Sequence, residues 1–510
     1  MTTLPSGLPV VVDRDQPVPL AIQISAQLQA AVTSSVLRAG DRLPSSRDLA
    51  AILGVSRTVV TNAYARLFAE GWLEGRHGSG TYVADVITAP DQGRRRVPGR
   101  GQPAGAAAID HPERPVVSPG SPAISASGEP AAPAALIDLQ PGISWAEGIE
   151  PASWRRAWRH AGTHLPSRWP DPHGLPELRE EVAAYLRRSR GLAVTPAHIL
   201  ITQGVSSGLA LLADALLSPG DKAGIEEPGY PTGREVLRRA GAQVVPCRVD
   251  AHGILPEELP GDLKLLYTTP AHQYPLGGRL PVSRRQALVA WARATGALVV
   301  EDDYDSEFRY DVGPLPALHS MDPDVIVYLG TASKVLATAF GAGWLVAPPE
   351  LIERLAALRP RLGVRIPEPV QHAVLALLRS GDLERHVRKM RLEYARRRAA
   401  LVDALTHGAR GAAGADPTGN SGPAGDSARV PFRLLGDTAG MHIVLELPAD
   451  YPTARLVAAA AARGVAVYPL TRYFVGPPTM NGLILGYGTV TLPQVRRAAA
   501  ELAQLLARLP

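Results

Sequence analysis

Lys334 is one of only four lysines in a chain of 510 residues that carries 49 arginines. It closes the segment G-T-A-S-K, just after the apolar run V-I-V-Y-L at 325–329, which places its amine beyond the end of a buried strand. An amine held there can serve as a nucleophile toward a carbonyl carbon. Other strand ends offer groups that suit such chemistry. Ile201 and Thr202 run into G-V-S-S-G and a helical pattern, so the backbone N–H groups of Gly204, Val205 and Ser206 can hold a phosphate at a helix N-terminus. The segment E-E-P-G-Y-P presents Tyr230, either as a flat face for a planar ligand or as a loop residue packed on its own domain. The run A-L-V-V-E-D at 297–302 passes into D-D-Y-D-S-E-F, which places four carboxylates within seven residues.

A dense acidic stretch reads either as a solvated loop or as a magnesium site. No Walker-type phosphate loop accompanies this one, and no metal site is expected. The combination of groups suits pyridoxal 5'-phosphate (PLP) instead. A lysine forms an imine with the aldehyde, a carboxylate keeps the pyridine nitrogen protonated, an aromatic ring covers the face and a helix end takes the phosphate.

The elements that must position these groups follow from the apolar pattern. Short apolar runs at 199–202, 265–267, 297–302, 325–329 and 344–346 alternate with helical periodicity, which predicts an α/β body from 136 to 510 built on a mainly parallel sheet. Residues 408–427, rich in Gly, Ala and Ser, read as a disordered surface insertion. Residues 85–135 carry few large apolar side chains and read as a flexible linker.

Ahead of the linker, residues 16–84 show a second architecture. Leu20, Ile24, Leu28 and Val32 recur every four residues and predict a helix. Ser45 or Ser46 is placed to cap a second helix, Gly54 to break it and Ser56 to cap a third. In the third, Val60, Ala63, Tyr64 and Leu67 share one face, with Arg57, Thr58, Thr61 and Asn62 on the other. The segment W-L-E-G-R-H-G-S-G-T-Y-V then reads as a two-stranded wing with Arg76 and His77 at its tip. The pattern is that of a helix-turn-helix with a polar reading face, or of a small helical docking domain; Tyr64 and Trp72 are expected in the core.

Charge adds little. The net charge of +5 is small for the length, so placement of the arginines counts for more than their excess. The single cysteine, Cys247, excludes an intramolecular disulfide framework and fits a reducing cytosol. No apolar run reaches the roughly 18 residues of a membrane span, and the first residues lack a signal peptide's apolar stretch, so a cytoplasmic protein away from membranes is expected.

The head, with L-x-x-G-D-R-L-P-S-S-R-x-L-A and the ending G-S-G-T-Y-V, resembles the winged helix-turn-helix of the GntR family of bacterial regulators. The resemblance implies that Arg47, Arg57 and Thr58 touch DNA backbone or major-groove edges. It also implies that Arg76, His77 and Gly78 reach phosphate or the minor groove. The segments G-V-S-S-G, E-E-P-G-Y-P, T-T-P-A-H-Q-Y-P-L-G, E-D-D-Y-D-S-E-F-R-Y and Y-L-G-T-A-S-K resemble the fold-type I aminotransferase body of the MocR subgroup. By motif position this implies Lys334 as the Schiff-base lysine, Asp302 as the partner of the pyridine nitrogen and Tyr304 as donor to the ring phenolate oxygen. Tyr230 stacks on the ring, and Ser206 and Ser333 contact the phosphate. His272, Gln273 and Tyr274 occupy the loop where many aminotransferases place an asparagine. A homodimer is implied as well.

Two positions depart from that pattern. An arginine seven residues after the lysine usually clamps the phosphate, and here that residue is Gly341, a loss of about 1.5–3 kcal/mol in PLP binding. The arginine that grips a substrate carboxylate is missing from M-N-G-L-I-L-G-Y-G at 480–488, and Arg472 is only a distant candidate. The expected protein is therefore a transcriptional regulator that binds double-stranded operator DNA and senses PLP, or a PLP adduct of an amine or amino acid. The alternatives are an active aminotransferase with a DNA-binding appendage and a regulator whose body serves only as a scaffold.

Overall fold

Two kinds of apolar periodicity build two units. The computed structural model describes residues 10–15, 19–34, 36–70, 72–76, 80–84, 136–310, 316–411, 432–436 and 439–508. The head consists of α1 (Leu20–Thr33), α2 (Ser46–Leu53) and α3 (Arg57–Glu70) with strands β1 (Arg42–Leu43), β2 (Leu73–Arg76) and β3 (Gly80–Val83). Ile24, Leu28 and Val32 pack with Leu49, Val60, Ala63, Tyr64, Leu67 and Trp72, the faces expected from the spacing. Of the two candidate serines, Ser45 is the cap: its Oγ accepts from the Asp48 N–H at 3.2 Å and donates to Asp48 Oδ2 at 2.7 Å. Gly54 ends the helix in the left-handed conformation, φ 61°.

The wing has three strands where the sequence predicts two, because β1 pairs with the far edge of β3, Arg42 opposite Tyr82. Two residues are too short to show a period, and their partner lies some forty positions on. The expected linker, 85–135, lies outside the described residues. Helix α11 (Asp382–Gly411) continues through the first four positions of the 408–427 stretch read as an insertion; the rest of that stretch is also outside the described residues.

The body is organised by an eight-stranded sheet: β5 (Ile199–Thr202), β6 (Lys222–Glu227), β7 (Gln243–Asp250), β8 (Gly253–Ile254), β9 (Leu265–Thr268), β10 (Leu298–Asp303), β11 (Ile326–Thr331) and β12 (Gly343–Val346). Their order is β5-β12-β11-β10-β9-β6-β7-β8. Neighbours from β11 to β7 are parallel, while β12 runs antiparallel to both β11 and β5. Both faces are covered, which is why these strands read as unbroken apolar runs. Helices α6 (Val205–Leu216), α7 (Pro231–Arg239) and α9 (Pro349–Leu358) cover one face, packing on Ile225, Tyr267, Val300 and Leu329. Helices α4 (Pro151–Gly162), α5 (Pro176–Arg190) and α10 (Glu368–Arg379), with α8 (Val282–Thr295) beside them, cover the other.

A smaller antiparallel sheet, β13 (Arg433–Leu435), β14 (His442–Leu447), β17 (Asn481–Gly486) and β16 (Tyr468–Pro469), packs with α11, α12 (Thr453–Ala462) and α13 (Leu492–Arg508). The start of the body returns to this lobe: β4 (Ile137–Asp138) pairs parallel with β15 (Val465–Ala466). Fully buried Arg397 fastens the junction, its guanidinium 4.0 Å over the Trp145 ring and donating to Gly488 O at 2.9 Å. No helix among the described residues is long and apolar enough to cross a membrane.

Candidate functional site

Parallel strands deliver their carboxyl ends to one edge of the sheet, where ligands collect in open α/β folds. At that edge Lys334 stands three residues past β11, and its Nζ donates to the carbonyl of Gly142, 192 positions earlier in the chain. Gly142 has φ 77°, and a Cβ there would lie 3.4 Å from Nζ. Burial lowers the basicity of the Lys334 amine, while the Asp302 and Asp305 carboxylates pull it back up. The arrangement favours an amine able to shed its proton and attack a carbonyl.

Asp302, on β10 next to the strand of Lys334, is buried. Its Oδ2 accepts from the Tyr267 hydroxyl, and its Oδ1 is buried with no hydrogen-bond partner among the described residues. Burial raises its pKa to about 7, with Asp303 and Asp305 adding to the effect and the Tyr267 hydrogen bond and Lys334 opposing it. A cationic N–H donor facing Oδ1 would reverse that rise.

The four carboxylates of the acidic string part company. Asp303 and Glu307 both turn to Arg190, which is 1% exposed and lies 2.7 Å from Asp303 Oδ2 and 3.3 Å from Glu307 Oε1. Tyr328 donates to Asp303 at 2.8 Å and Tyr185 to Glu307 at 2.9 Å. Asp305 faces the His272 ring, Nδ1 to Oδ2 3.0 Å. Asp302 keeps one oxygen unengaged and exerts the larger carboxylate effect on the lysine, ahead of Asp305. Alternation along the strand explains the split between Asp302 and Asp303.

The loop after β9 completes this side. The Tyr304 hydroxyl, given to the ring oxygen of the cofactor by resemblance, lies 2.9 Å from His272 Nδ1. Gln273 Nε2 donates to Pro228 O at 2.9 Å and Tyr274 O at 2.7 Å, which ties this loop to the one that carries Tyr230. Beneath both, the buried Glu226 carboxylate accepts from the hydroxyls of Thr268 and Thr269, each at 2.5 Å. The Tyr274 ring stands edge-on to Tyr304, Tyr230 and Tyr473 at centroid distances of 5.6, 6.0 and 5.5 Å. His442, 5.5 Å from the His272 ring, is lowered to about 4 by burial and by that neighbour.

The opposite side presents a helix N-terminus and hydroxyl groups, a geometry that suits an anion. Gly204 enters α6 with φ 119° and ψ 180°, a conformation reserved for glycine, and the first-turn N–H groups from Val205 and Ser206 onward face out of the helix end. A Cβ on Gly204 would lie 3.8 Å from Ser333 Oγ and 3.9 Å from Thr331 Oγ1, so the missing side chain leaves a small polar hollow. Ser206 Oγ sits 3.3 Å from the Tyr230 hydroxyl. Ser333 is fixed by its N–H to Thr331 Oγ1 at 3.0 Å and by Ser144 Oγ to its carbonyl at 3.0 Å. Gly341 is left-handed, φ 59°, and 3.8 Å of space separates a Cβ built there from Gln203 O. The backbone at the clamp position thus suits glycine and opposes an arginine. Arg472 is exposed, its guanidinium 5.7 Å over the Tyr468 ring.

Lys334, Asp302, Tyr304, Tyr230, Gly204, Val205, Ser206, Ser333, His272 and Tyr274 accordingly gather at one sheet edge. Sequence reasoning missed Tyr267, Gly142, Glu226 and the distinct role of Asp305. The run L-L-Y contained Tyr267 but gave no sign of its partner.

In the head, Arg47, Arg57, Thr58 and Thr61 are exposed on one face, and Arg57 Nε donates to Ser46 Oγ at 3.4 Å. Behind them Tyr64 donates to Pro44 O at 2.8 Å and locks the reading helix to the turn before α2. The side chain of Arg76, and His77 and Gly78 entirely, lie outside the described residues.

Residues 20–83 match the family of bacterial regulatory proteins of the gntR type, and residues 146–422 match the class I and II aminotransferases. The pyridoxine biosynthesis transcriptional regulator PdxR of Corynebacterium glutamicum is 34% identical over 98% of both chains. The probable rhizopine catabolism regulatory protein MocR of Rhizobium meliloti is 32% identical over 97% of this chain and 95% of its own. Among solved structures, an archaeal alanine:glyoxylate aminotransferase superposes with TM-score 0.65 and 26% identity over 73% of this chain and 91% of that one.

Proposed function

The chain belongs to the GntR-type helix-turn-helix regulators of the MocR and PdxR kind, with a class I and II aminotransferase body, and from that premise we propose that its body senses PLP, alone or joined to an amine, and passes the signal to the DNA-binding head. As a transcriptional regulator it binds DNA, and an aminotransferase fold of this class implies PLP binding. Residues 16–84 act as the DNA-binding unit, 85–135 as the link and 136–510 as the sensor.

The residues present fit the cofactor. The observation that carries the reading is Asp302: buried, with one oxygen engaged by Tyr267 and the other without a partner, beside the strand that leads to Lys334. When bound, PLP supplies an aldehyde for an amine and a protonated ring that withdraws electrons. Lys334 offers the amine, with its proton loosened by burial. Asp302 holds the ring nitrogen protonated, and Tyr304, oriented by His272, donates to the ring oxygen. Tyr230 covers a ring face, while Gly204, Val205, Ser206 and Ser333 receive the phosphate without the help of an arginine at 341. Signal detection is favoured over turnover because 480–488 carries no arginine for a substrate carboxylate and Arg472 is engaged over Tyr468. Arg47, Arg57, Thr58, Thr61, Arg76, His77 and Gly78 form the DNA face, and two copies of the chain set two heads on one operator.

The test is operator binding by the full chain with and without PLP. Wild type changes its affinity or footprint on PLP addition and gains a visible absorbance band. Lys334→Ala binds operator but loses both responses. An unchanged PLP response in Lys334→Ala refutes the proposal, as does sustained keto-acid production from an amino acid by wild type.

A further inference from the structure

His160 lies in the last turn of α4 and His164 two residues past its end, and α10 brings a third histidine, His372, alongside. We propose that His160, His164 and His372 form a site for a divalent transition-metal cation of the zinc, copper or nickel class, which joins the end of α4 to α10.

One nitrogen from each of the three rings lies within 4.8 Å of the other two. The turn that follows α4 brings the His164 ring back beside that of His160, with centroids 4.7 Å apart. His164 Nδ1 lies 2.9 Å from the carbonyl of His160, and a carbonyl oxygen only accepts. Nδ1 therefore carries the proton, and Nε2 of His164 carries the lone pair a metal needs. The same hydrogen bond sets the tautomer, as outer partners do for metal-bound imidazoles. His372 Nδ1 is buried with no hydrogen-bond partner among the described residues. Glu368 and Glu177 act electrostatically on His372 and supply negative potential for a cation.

The rings of His164 and His372 are stacked, with centroids 4.0 Å apart and planes 17° apart, and His160 stands edge-on to His164 at 4.7 Å. A tetrahedral ion with bonds of about 2.0–2.1 Å to nitrogen sets its ligand nitrogens about 3.3 Å apart. Drawing the three atoms in from 4.8 Å or less takes side-chain rotations that displace each by about 1 Å. His164 is exposed and free to turn out of the stack. Three neutral imidazoles leave the fourth position open to water, and the affinity order for such a set runs copper above zinc and nickel.

The experiment uses the untagged full chain stripped of metal and titrated with Co²⁺ as a spectroscopic probe, then with Zn²⁺ in competition. One equivalent of Co²⁺ should give visible ligand-field absorption that Zn²⁺ abolishes, and Zn²⁺ at about a hundredfold excess over Kd should raise the melting temperature of the body by about 2–5 °C. His164→Ala and His372→Ala should each weaken binding at least about tenfold, with His252→Ala, an exposed histidine elsewhere, binding as wild type. Because His164 is exposed, its variant retains the fold and decides the matter even if His372→Ala melts early. Absence of a one-to-one complex, or equal binding by wild type and His164→Ala, overturns the proposal.

Discussion

Replacing Asp302 with asparagine should move stability and cofactor affinity in opposite directions. In the cofactor-free protein, burial carries Asp302 from 3.8 to about 7, which at 1.36 kcal/mol per decade separates its ionised and neutral forms by about 4 kcal/mol. The folded state thus holds a proton that the unfolded chain has already lost. The stability this gives is fully present below the unfolded value of 3.8 and is lost as pH rises through about 7. Asparagine has the same shape, still accepts from Tyr267 and carries no charge. Allowing half of that separation for relaxation of the site, Asp302→Asn should be more stable than wild type by about 2 kcal/mol at pH 8, with the gap closing toward pH 4. The same change removes the anion facing the pyridine nitrogen, a charge-assisted hydrogen bond worth about 1.5–3 kcal/mol, so PLP should bind about ten- to a hundredfold more weakly. Thermal melts of PLP-free protein between pH 4 and 8.5, paired with PLP titrations, read both effects. A gap in melting temperature that does not shrink on acidification, or PLP affinity equal to wild type, would refute the assignment of Asp302 as the buried partner of the ring nitrogen.

Three further outcomes are expected. Gly204→Ala forces a side chain into backbone at φ 119°, costing about 1–3 kcal/mol locally, and should reduce PLP affinity in titration while the body still folds by circular dichroism. Arg190→Leu leaves Asp303 and Glu307 buried without their cation and should destabilise the body by about 3–5 kcal/mol in urea; a loss under about 1 kcal/mol would show that the pair is not structural. Arg57→Ala should cost about 1–3 kcal/mol in operator binding and relax base preference at one position, whereas Arg47→Ala, if it meets only phosphate, should weaken all sequences alike and flatten the salt dependence, both read by gel shift.

The two-unit plan was legible because local rules govern it. Repeats of four placed Ile24, Leu28 and Val32 inward, and unbroken apolar runs marked β5, β9, β10, β11 and β12 as strands buried on both faces. Strand-end residues were legible for the same reason: a lysine or glycine just past a buried run must emerge at the sheet edge. What could not be read was partnership. The string D-D-Y-D-S-E-F presents four equivalent carboxylates in one dimension. Only the fold sends Asp303 and Glu307 to Arg190 and Asp305 to His272, leaving Asp302 with an open oxygen, because those partners arrive from more than thirty to more than a hundred positions away. Likewise β1 was invisible until β3 lay beside it, and Gly142 had no meaning until its carbonyl met Lys334. Residue types and their local periods are properties of the chain, so the sequence determined which chemistry was on hand. Distance, burial and the sharing of a proton or a charge are properties of the packed state, and these decided which of the candidate groups face one another.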